Sequence, residues 1–214
     1  MALGYDANSY VGNLNTTNPL SHTHTTGALA TLAFHAVSFN SAQSFTSCTH
    51  DGAAVTAIGT DIQNTTEFWA GYKLLPSVGA KTVTVTMNST TDRVQGTDTH
   101  IGVKNAAPTT TAKSKSGSAS PQVVIVTTPG QLVVVAAGQH GVAGVAWAPI
   151  AGTTETLEYA NAAATHRGEL VMGYAIATGT STTVGWTTSA SVDWVIVAAA
   201  FDPQPVGQSI MWWF

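Results

Sequence analysis

The chain has 214 residues, of which 44% are hydrophobic, so it is long enough for one sizeable core and is not a disordered protein. Only 8% of the residues are charged, and a net charge of −4 with seven scattered basic residues leaves no cationic stripe for a nucleic-acid backbone. Cys48 is the single cysteine, which excludes an intrachain disulfide framework and a multi-cysteine metal cluster.

Residues 1–26 are polar and rich in Asn and Thr, and they are predicted to form an extended arm outside the core. The start has neither a basic nor an apolar signal region, so no ordinary secretory address is expected. In an extended segment His22 and His24 would share one face, which is a chelating geometry, but no acid or thiol lies near them in sequence. We therefore predict no metal here, and assign Pro19, His22 and His24 to partner binding, the alternative being a solvated pair of histidines.

From Gly27 to Phe201, short runs of Val, Thr, Ile and aromatic residues are separated by Gly, Pro, Asn or Asp, the pattern of successive strands and turns. The segment 82–87 alternates Thr with Val or Met, as a half-buried strand does. Asp51-Gly52 and Pro129-Gly130 fall between such runs and predict tight turns. Twelve strands are predicted, at 29–39, 45–50, 53–58, 66–75, 81–88, 93–103, 121–128, 131–137, 154–159, 169–177, 182–188 and 192–201.

Residues 105–120 contain Pro108 and a Thr/Ser/Lys-rich run, and are predicted to form a long exposed loop. Because no helical period separates the strands, the predicted fold class is all-β, an antiparallel β-sandwich of jelly-roll type. It would comprise residues 27–203, between the arm at 1–26 and an apolar tail at 204–214. The longest apolar runs are far shorter than the roughly 20 residues that a membrane helix needs, so no membrane span is predicted.

The two halves of the predicted sandwich resemble each other in sequence. The segment EFWAGYKL at 67–74 is matched by ELVMGYAI at 169–176, and Gly27-Ala28-Leu29 is matched by Gly130-Gln131-Leu132. Two halves that cannot each bury an apolar face would pack into one sandwich. The alternative is that a composition rich in Gly, Thr and Val produces such matches by chance.

No catalytic motif stands out in the sequence. Cys48 and His50 share a strand face but lack a third orienting group. Glu155 and Glu158 are the nearest pair of acids, and three residues apart on a strand they should point to opposite faces, unlike the acids of a glycosidase. We therefore predict that the chain is not an enzyme and has no cofactor.

The last residues of the sequence are unusually apolar. Such a segment would be an aggregation hazard in water, and burying each of its large side chains contributes on the order of 1.5–3 kcal/mol. We predict that it binds a partner, inserting into a neighbouring subunit or a host surface, while the alternative folds it back over its own sandwich. The residues concerned are Ile210, Met211, Trp212, Trp213 and Phe214.

Four segments resemble a known family: DGAAVTAIG at 51–59, FWAGY at 68–72, GAKTVTVT at 79–86 and VGW at 184–186. Together they resemble the β-sandwich domains of tailed-bacteriophage virion proteins, which serve as minor tail, head-decoration or fibre-like components. The resemblance covers residues 27–203 and rests on the spacing of strands and turns. It implies a structural or adhesive role and brings no catalytic residue with it.

We therefore predict a structural virion protein made in the host cytoplasm, a capsid decoration or head-associated subunit that acts through protein contacts. The expected partners are copies of itself, assembled as a trimer, and a capsid or tail protein. The alternative is a carbohydrate-binding or receptor-binding module of a tail or fibre that binds a host glycan. Exposed tryptophans such as Trp69, Trp147 and Trp186 would then stack on sugar rings, although their apolar neighbours favour core positions for most of them.

Overall fold

The computed structural model describes residues 2–14, 17–90, 92–142, 144–159 and 168–205, with the backbone alone for 13 and 14. The described residues contain seventeen strands and no helix, and hence no helix able to cross a membrane. The strands are β1 (Gly4–Leu14), β2 (Leu20–Thr26), β3 (Ala30–Asn40), β4 (Phe45–His50), β5 (Ala53–Ala54), β6 (Thr56–Gln63), β7 (Thr66–Leu74), β8 (Gly79–Met87), β9 (Asp92–Ile101), β10 (Thr110–Ser118), β11 (Gln122–Val126), β12 (Leu132–His140), β13 (Trp147–Pro149), β14 (Thr154–Tyr159), β15 (Gly168–Ile176), β16 (Ser181–Thr188) and β17 (Val192–Phe201).

The strands form four antiparallel sheets, two from each half of the chain. The inner N-sheet has the order β1-β9-β3-β7-β6, and the inner C-sheet has the order β10-β17-β12-β15-β14. The outer N-sheet has the order β2-β8-β4-β5, and the outer C-sheet has the order β11-β16-β13. The fold class is therefore all-β with packed antiparallel sheets, as predicted, while the jelly-roll type stays a prediction.

The four sheets are stacked as layers, and each contact between layers is filled by side chains. The two inner sheets pack on each other through a central core that includes Phe34, Phe68, Met172 and Phe201, all fully buried. A second core joins the inner and outer C-sheets, and a smaller one joins the inner and outer N-sheets. The inner strands are therefore buried on both faces, which explains long apolar runs such as that of β12, where every residue is buried.

The strand order of one half repeats in the other. Replacing β1, β9, β3, β7 and β6 by β10, β17, β12, β15 and β14 converts one inner sheet into the other. The contacts between the two inner sheets show the same correspondence. The contact of β1 with β14 has its equivalent in the contact of β10 with β6, and the contact of β9 with β15 has its equivalent in that of β17 with β7. The predicted internal duplication is thus present in the topology, with an approximate two-fold relation between the halves.

The hydrogen-bond register assigns equivalent residues in the two halves. Leu32 of β3 pairs with Leu74 and His100, and Leu132 of β12 pairs with Ile176 and Phe201. The duplication predicted between 67–74 and 169–176 is confirmed by these pairs. The suggested match of Leu29 with Leu132 is displaced by three residues, because Leu29 lies exposed before β3 and Leu32 occupies the buried position.

All twelve predicted strands overlap observed strands, but two segments predicted to contain no strand also contribute strands to the sheets. Within residues 1–26, predicted as an arm, β1 pairs with β9 and β2 pairs with β8. Within residues 105–120, predicted as a loop, β10 pairs with β17. These polar strands form sheet edges with one face toward solvent, so they need few apolar residues and carry little sequence signal. Asp51 and Gly52, both with positive φ, form the predicted tight turn between β4 and β5.

Candidate functional site

The two histidines of β2 point into the protein and not toward a partner. His24 is fully buried and His22 is partly buried, whereas Ser21, Thr23 and Thr25 of the same strand are exposed. The prediction that both imidazoles share one face is confirmed. The face is the inner one, against the inner N-sheet, so the partner-binding role predicted for His22 and His24 does not fit their position.

His24 belongs to one of two hydrogen-bonded chains in the buried layer between the outer and inner N-sheets. The Ser9 hydroxyl lies 2.7 Å from His24 Nδ1, and His24 Nε2 lies 3.2 Å from the Thr99 hydroxyl. Thr99 donates in turn to Asp6 Oδ2 at 2.8 Å. Because Thr99 uses its proton on Asp6, His24 must donate from Nε2 and accept at Nδ1, which defines its neutral tautomer.

The second chain joins three more histidines. The Gln95 amide donates to His22 Nδ1 at 3.0 Å, and Thr97 Oγ1 lies 3.3 Å from His22 Nε2 and 3.0 Å from His35 Nδ1. His35 Nε2 then lies 3.4 Å from His50 Nδ1, and His50 Nε2 has no hydrogen-bond partner among the described residues. If every histidine carries its proton on Nε2, each link has one donor and one acceptor, so the chain fits neutral imidazoles.

Burial explains why these imidazoles stay neutral. It lowers the pKa of His22, His24 and His50 from 6.5 to about 4, and it lowers the pKa of His35 well below its usual value. Neighbouring histidines, and for His50 the ammonium of Lys73, act in the same direction. No set of three or more His, Cys, Asp or Glu side chains in the described ranges is arranged to hold a metal ion. We call these four residues the histidine cluster.

The equivalent layer in the other half is apolar. By register, Val135 occupies the place of His35, and Ala198 occupies the place of Thr97. Val135 and Ala198 belong to the hydrophobic core between the inner and outer C-sheets. The duplicated fold therefore does not need a polar layer at this level, and the histidine cluster is particular to the N-terminal half.

A second buried polar group lies on the other face of β9, between the two inner sheets. Asp98 is fully buried, Thr156 donates to its Oδ2, and its Oδ1 has no hydrogen-bond partner among the described residues. Burial raises the pKa of Asp98 to about 7, with the Thr156 hydrogen bond opposing the shift. The sequence patterns considered above did not single out Asp98. Its signal was the alternation along β9, which places Asp98 and His100 on one face and Thr97 and Thr99 on the other.

Two acids of the C-terminal half bind the indole groups of buried tryptophans. Glu169 accepts from Trp147 Nε1 at 2.9 Å and from the Val145 amide at 3.0 Å. Glu155 accepts from Trp186 Nε1 at 2.7 Å. Burial is the main cause that raises the pKa of both carboxyls. These acids therefore satisfy buried donors of the protein itself.

The expectation that Glu155 and Glu158 point to opposite faces is wrong. A β-bulge between Glu155 and Leu157 inserts one residue and reverses the alternation along β14. Glu158 Oε1 lies 3.5 Å from the amide nitrogen of Trp147, on the same side as Glu155, and its charge helps to raise the pKa of Glu155. The two acids nevertheless flank packed indole rings, those of Trp147 and Trp186, whose centroids lie 6.4 Å apart.

The tryptophans proposed for sugar stacking lie in the core. Trp69, Trp147 and Trp186 are 3%, 6% and 0% exposed, so their ring faces are not offered to a glycan. This confirms the core positions that their apolar neighbours favoured. Cys48 is buried as well, and burial raises the pKa of its thiol to about 12, which leaves it protonated and poorly nucleophilic.

The outward face of the outer N-sheet consists mainly of hydroxyl side chains. Across it, Ser21 of β2 pairs with Thr84 of β8, which pairs with Thr49 of β4, and the Ser21 and Thr84 hydroxyls lie 2.8 Å apart. The ion pair Lys81–Asp51, with 3.3 Å between Nζ and Oδ2, is not part of this face, because Lys81 pairs with the inward-facing His24 and Asp51 lies in the β4–β5 turn. We call this surface the hydroxyl face; it comprises Ser21, Thr23, Thr25, Ser47, Thr49, Thr82, Thr84 and Thr86.

The remaining predicted contact residues lie at the two ends of the chain. Pro19 is exposed directly before β2, next to the hydroxyl face, and follows Asn18 through a cis peptide bond. Asn18 is held by Met87, whose amide donates to its side chain at 3.0 Å. The predicted contact segment from Ile210 to Phe214 lies outside the described residues.

No protein-family model matches the chain, and comparisons with curated proteins and with solved structures likewise found no match.

Proposed function

We propose that this chain is a non-catalytic structural subunit of a bacteriophage virion, a capsid decoration or head-associated protein that works by binding other proteins. One observation supports it above all. In the described residues, Glu155, Glu169 and the histidine cluster serve internal hydrogen bonds, while the hydroxyl face presents neutral side chains to solvent. The family resemblance of residues 27–203 adds the virion context.

The chemistry of the hydroxyl face suits a protein interface. Interface cores are depleted of charged residues, because burying an unpaired charge is costly. Thr and Ser can hydrogen-bond across a contact, and β-branched Thr loses little rotamer freedom on burial. Thr84 lies at the centre of this surface, between Ser21 and Thr49. A partner that covers the face, either a shell protein or a second copy, would bury these hydroxyls without removing a charge from water.

The experiment is a comparison of Thr84→Lys with Thr183→Lys. Thr183 is exposed on the outer C-sheet, so it provides a matched control for charge and side-chain length on the other outer surface. We expect the unaltered chain to form a trimer in sedimentation and to be located on intact particles by electron microscopy. Thr84→Lys should weaken both properties, and Thr183→Lys should leave them intact.

Equal assembly and particle binding by the two variants would contradict a role for the hydroxyl face. A monomer that is absent from particles would contradict the proposal as a whole. A glycan array should show no binding, in line with the buried positions of Trp69, Trp147 and Trp186.

A further inference from the structure

The edge strands of the two inner sheets meet at two places that the internal duplication makes equivalent. At the first edge β1 lies against β14, and at the second β10 lies against β6. Both β14 and β6 carry a β-bulge at the same point of their register. The register makes three pairs of positions equivalent: Tyr10 with Lys113, Leu157 with Gly59, and Tyr159 with Asp61.

The first edge is closed by large side chains. Leu157 is 4% exposed and packs into the central core over Gly96, where an added methyl group would lie 3.6 Å from Leu157 Cδ1. Tyr10 and Tyr159 pack beside it with ring centroids 5.2 Å apart. Apolar and aromatic groups therefore fill the space between β1 and β14.

The second edge is open. Gly59 replaces the leucine, and a methyl group added there would meet no heavy atom of the described residues within 4 Å, apart from its chain neighbours. The space is a cavity of about 240 Å³ lined by Ile58, Gly59, Val197 and Lys113, among others. Lys113 and Asp61 replace the two tyrosines at its rim and form an ion pair at 3.4 Å. We call this cavity the β6–β10 groove.

We propose that the β6–β10 groove binds the aromatic segment 212–214 of its own chain, which would fill the space that Leu157 and the two tyrosines fill at the first edge. The equivalent edge shows which chemistry completes this site. An apolar cavity of about 150 Å³ already accepts benzene, so about 240 Å³ is enough for an indole or phenyl ring. The exposed ammonium of Lys113 would lie over such a ring, where cation–π attraction favours it.

The segment can reach the groove. The described chain ends at Pro205, after Gln204 donates its amide to the Gly102 carbonyl at 2.6 Å. Val197, in the floor of the groove, precedes Pro205 by eight residues, so the two are at most about 26 Å apart at 3.3 Å per residue. Nine residues follow Pro205 and span up to about 30 Å. Trp213 and Phe214 are therefore within reach without unfolding any strand.

The test is photo-cross-linking in the full chain with p-benzoylphenylalanine in place of Phe214. We expect mass spectrometry to find cross-links to β6 or β10 in a product of monomer mass, with a yield that dilution does not change. Mixing chains labelled with ¹⁵N and unlabelled chains should give no mixed product. Gly59→Leu supplies the side chain that the groove lacks, and it should lower the cross-link yield about tenfold or more, equivalent to about 1.4 kcal/mol.

Thr60→Leu is the matched control, because it adds the same side chain at the next, exposed position of β6, and it should leave the yield unchanged. Circular dichroism of both variants separates loss of the site from loss of the fold. If Gly59→Leu does not fold, the location of the cross-links in the chain with Gly59 still tests whether the segment binds the groove. Cross-links elsewhere, mixed products between chains, or a yield that Gly59→Leu leaves unchanged would each overturn the assignment.

Discussion

Acidification should destabilise the N-terminal half through the histidine cluster, and His50 allows the size of the effect to be worked out. His50 is fully buried, its pKa lies near 4 instead of 6.5, and one pKa unit corresponds to about 1.4 kcal/mol. Between pH 6.5 and pH 4, His50 is protonated in the unfolded chain but stays neutral in the folded chain. The free energy of unfolding should therefore fall by about 3 kcal/mol from this residue alone as the pH drops from 6.5 to 4.

The surroundings of His50 explain the direction of the shift. His24 and His35 face it from β2 and β3, and their protonation would place further positive charge in the same layer. The ammonium groups of Lys73 and Lys81 also disfavour the charged imidazole, while Asp51 opposes them. In the hydrogen-bonded chain, a second proton on an imidazole would replace the acceptor at Nδ1 by a donor and break the link to the preceding group.

The assay is urea unfolding at several pH values between 8 and 4, comparing the unaltered chain with His50→Gln. The comparison is needed because Asp98, whose pKa is raised in the folded chain, has the opposite effect. On acidification the folded chain binds this proton before the unfolded chain does, which stabilises the fold and partly masks the destabilisation by the histidines. His50→Gln should show a pH dependence shallower by about 3 kcal/mol. Thr23→Gln, on the outward side of β2, should follow the unaltered chain. Parallel curves for the unaltered chain and His50→Gln would refute the reasoning.

Three further outcomes are expected. Asp98→Asn should raise the free energy of unfolding at pH 8 by up to about 4 kcal/mol, because the pKa of this carboxyl is about 7 in the folded chain and 3.8 in the unfolded chain. The gain should vanish near pH 4, where the folded carboxyl is already protonated. A difference in urea unfolding that does not change with pH would contradict this. Leu157→Ala should lower the free energy of unfolding by about 2–5 kcal/mol and Leu29→Ala by about 0.5 kcal/mol or less, since Leu157 is buried and Leu29 is 57% exposed. Equal midpoints of thermal unfolding for the two variants would count against the assigned core. Iodoacetamide should modify Cys48 at pH 8 in urea but not in the native chain, and rapid native labelling would show that the thiol is accessible.

Much of the fold could be predicted because strand signals are local. The alternation at 82–87 and the turn at Asp51-Gly52 each need only neighbouring residues, and both lie where expected. The repeat of EFWAGYKL by ELVMGYAI indicated the duplication, because equivalent strands buried on both faces require similar side chains. The buried positions of Trp69, Trp147 and Trp186 followed from their apolar neighbours in the same way.

The candidate site was harder to predict, since its parts are separated by many residues and meet only through sheet pairing. His22, His35 and His50 lie on three different strands, and a sequence shows neither that β2 covers β9 nor that its inner face is the one with the imidazoles. The bulge in β14, which brings Glu155 and Glu158 to one side, likewise has no local signature.

The amino-acid sequence by itself determined the all-β class, the twelve strongest strands, the turns and the duplication, because period-two alternation and turn chemistry act between neighbours along the chain. The tertiary structure alone decided that residues 1–26 supply edge strands, that the histidines face inward, and that one of two equivalent edges is closed while the other is open. These features depend on which strands pair and which faces stack, and the free energy of those choices is shared among residues far apart in sequence.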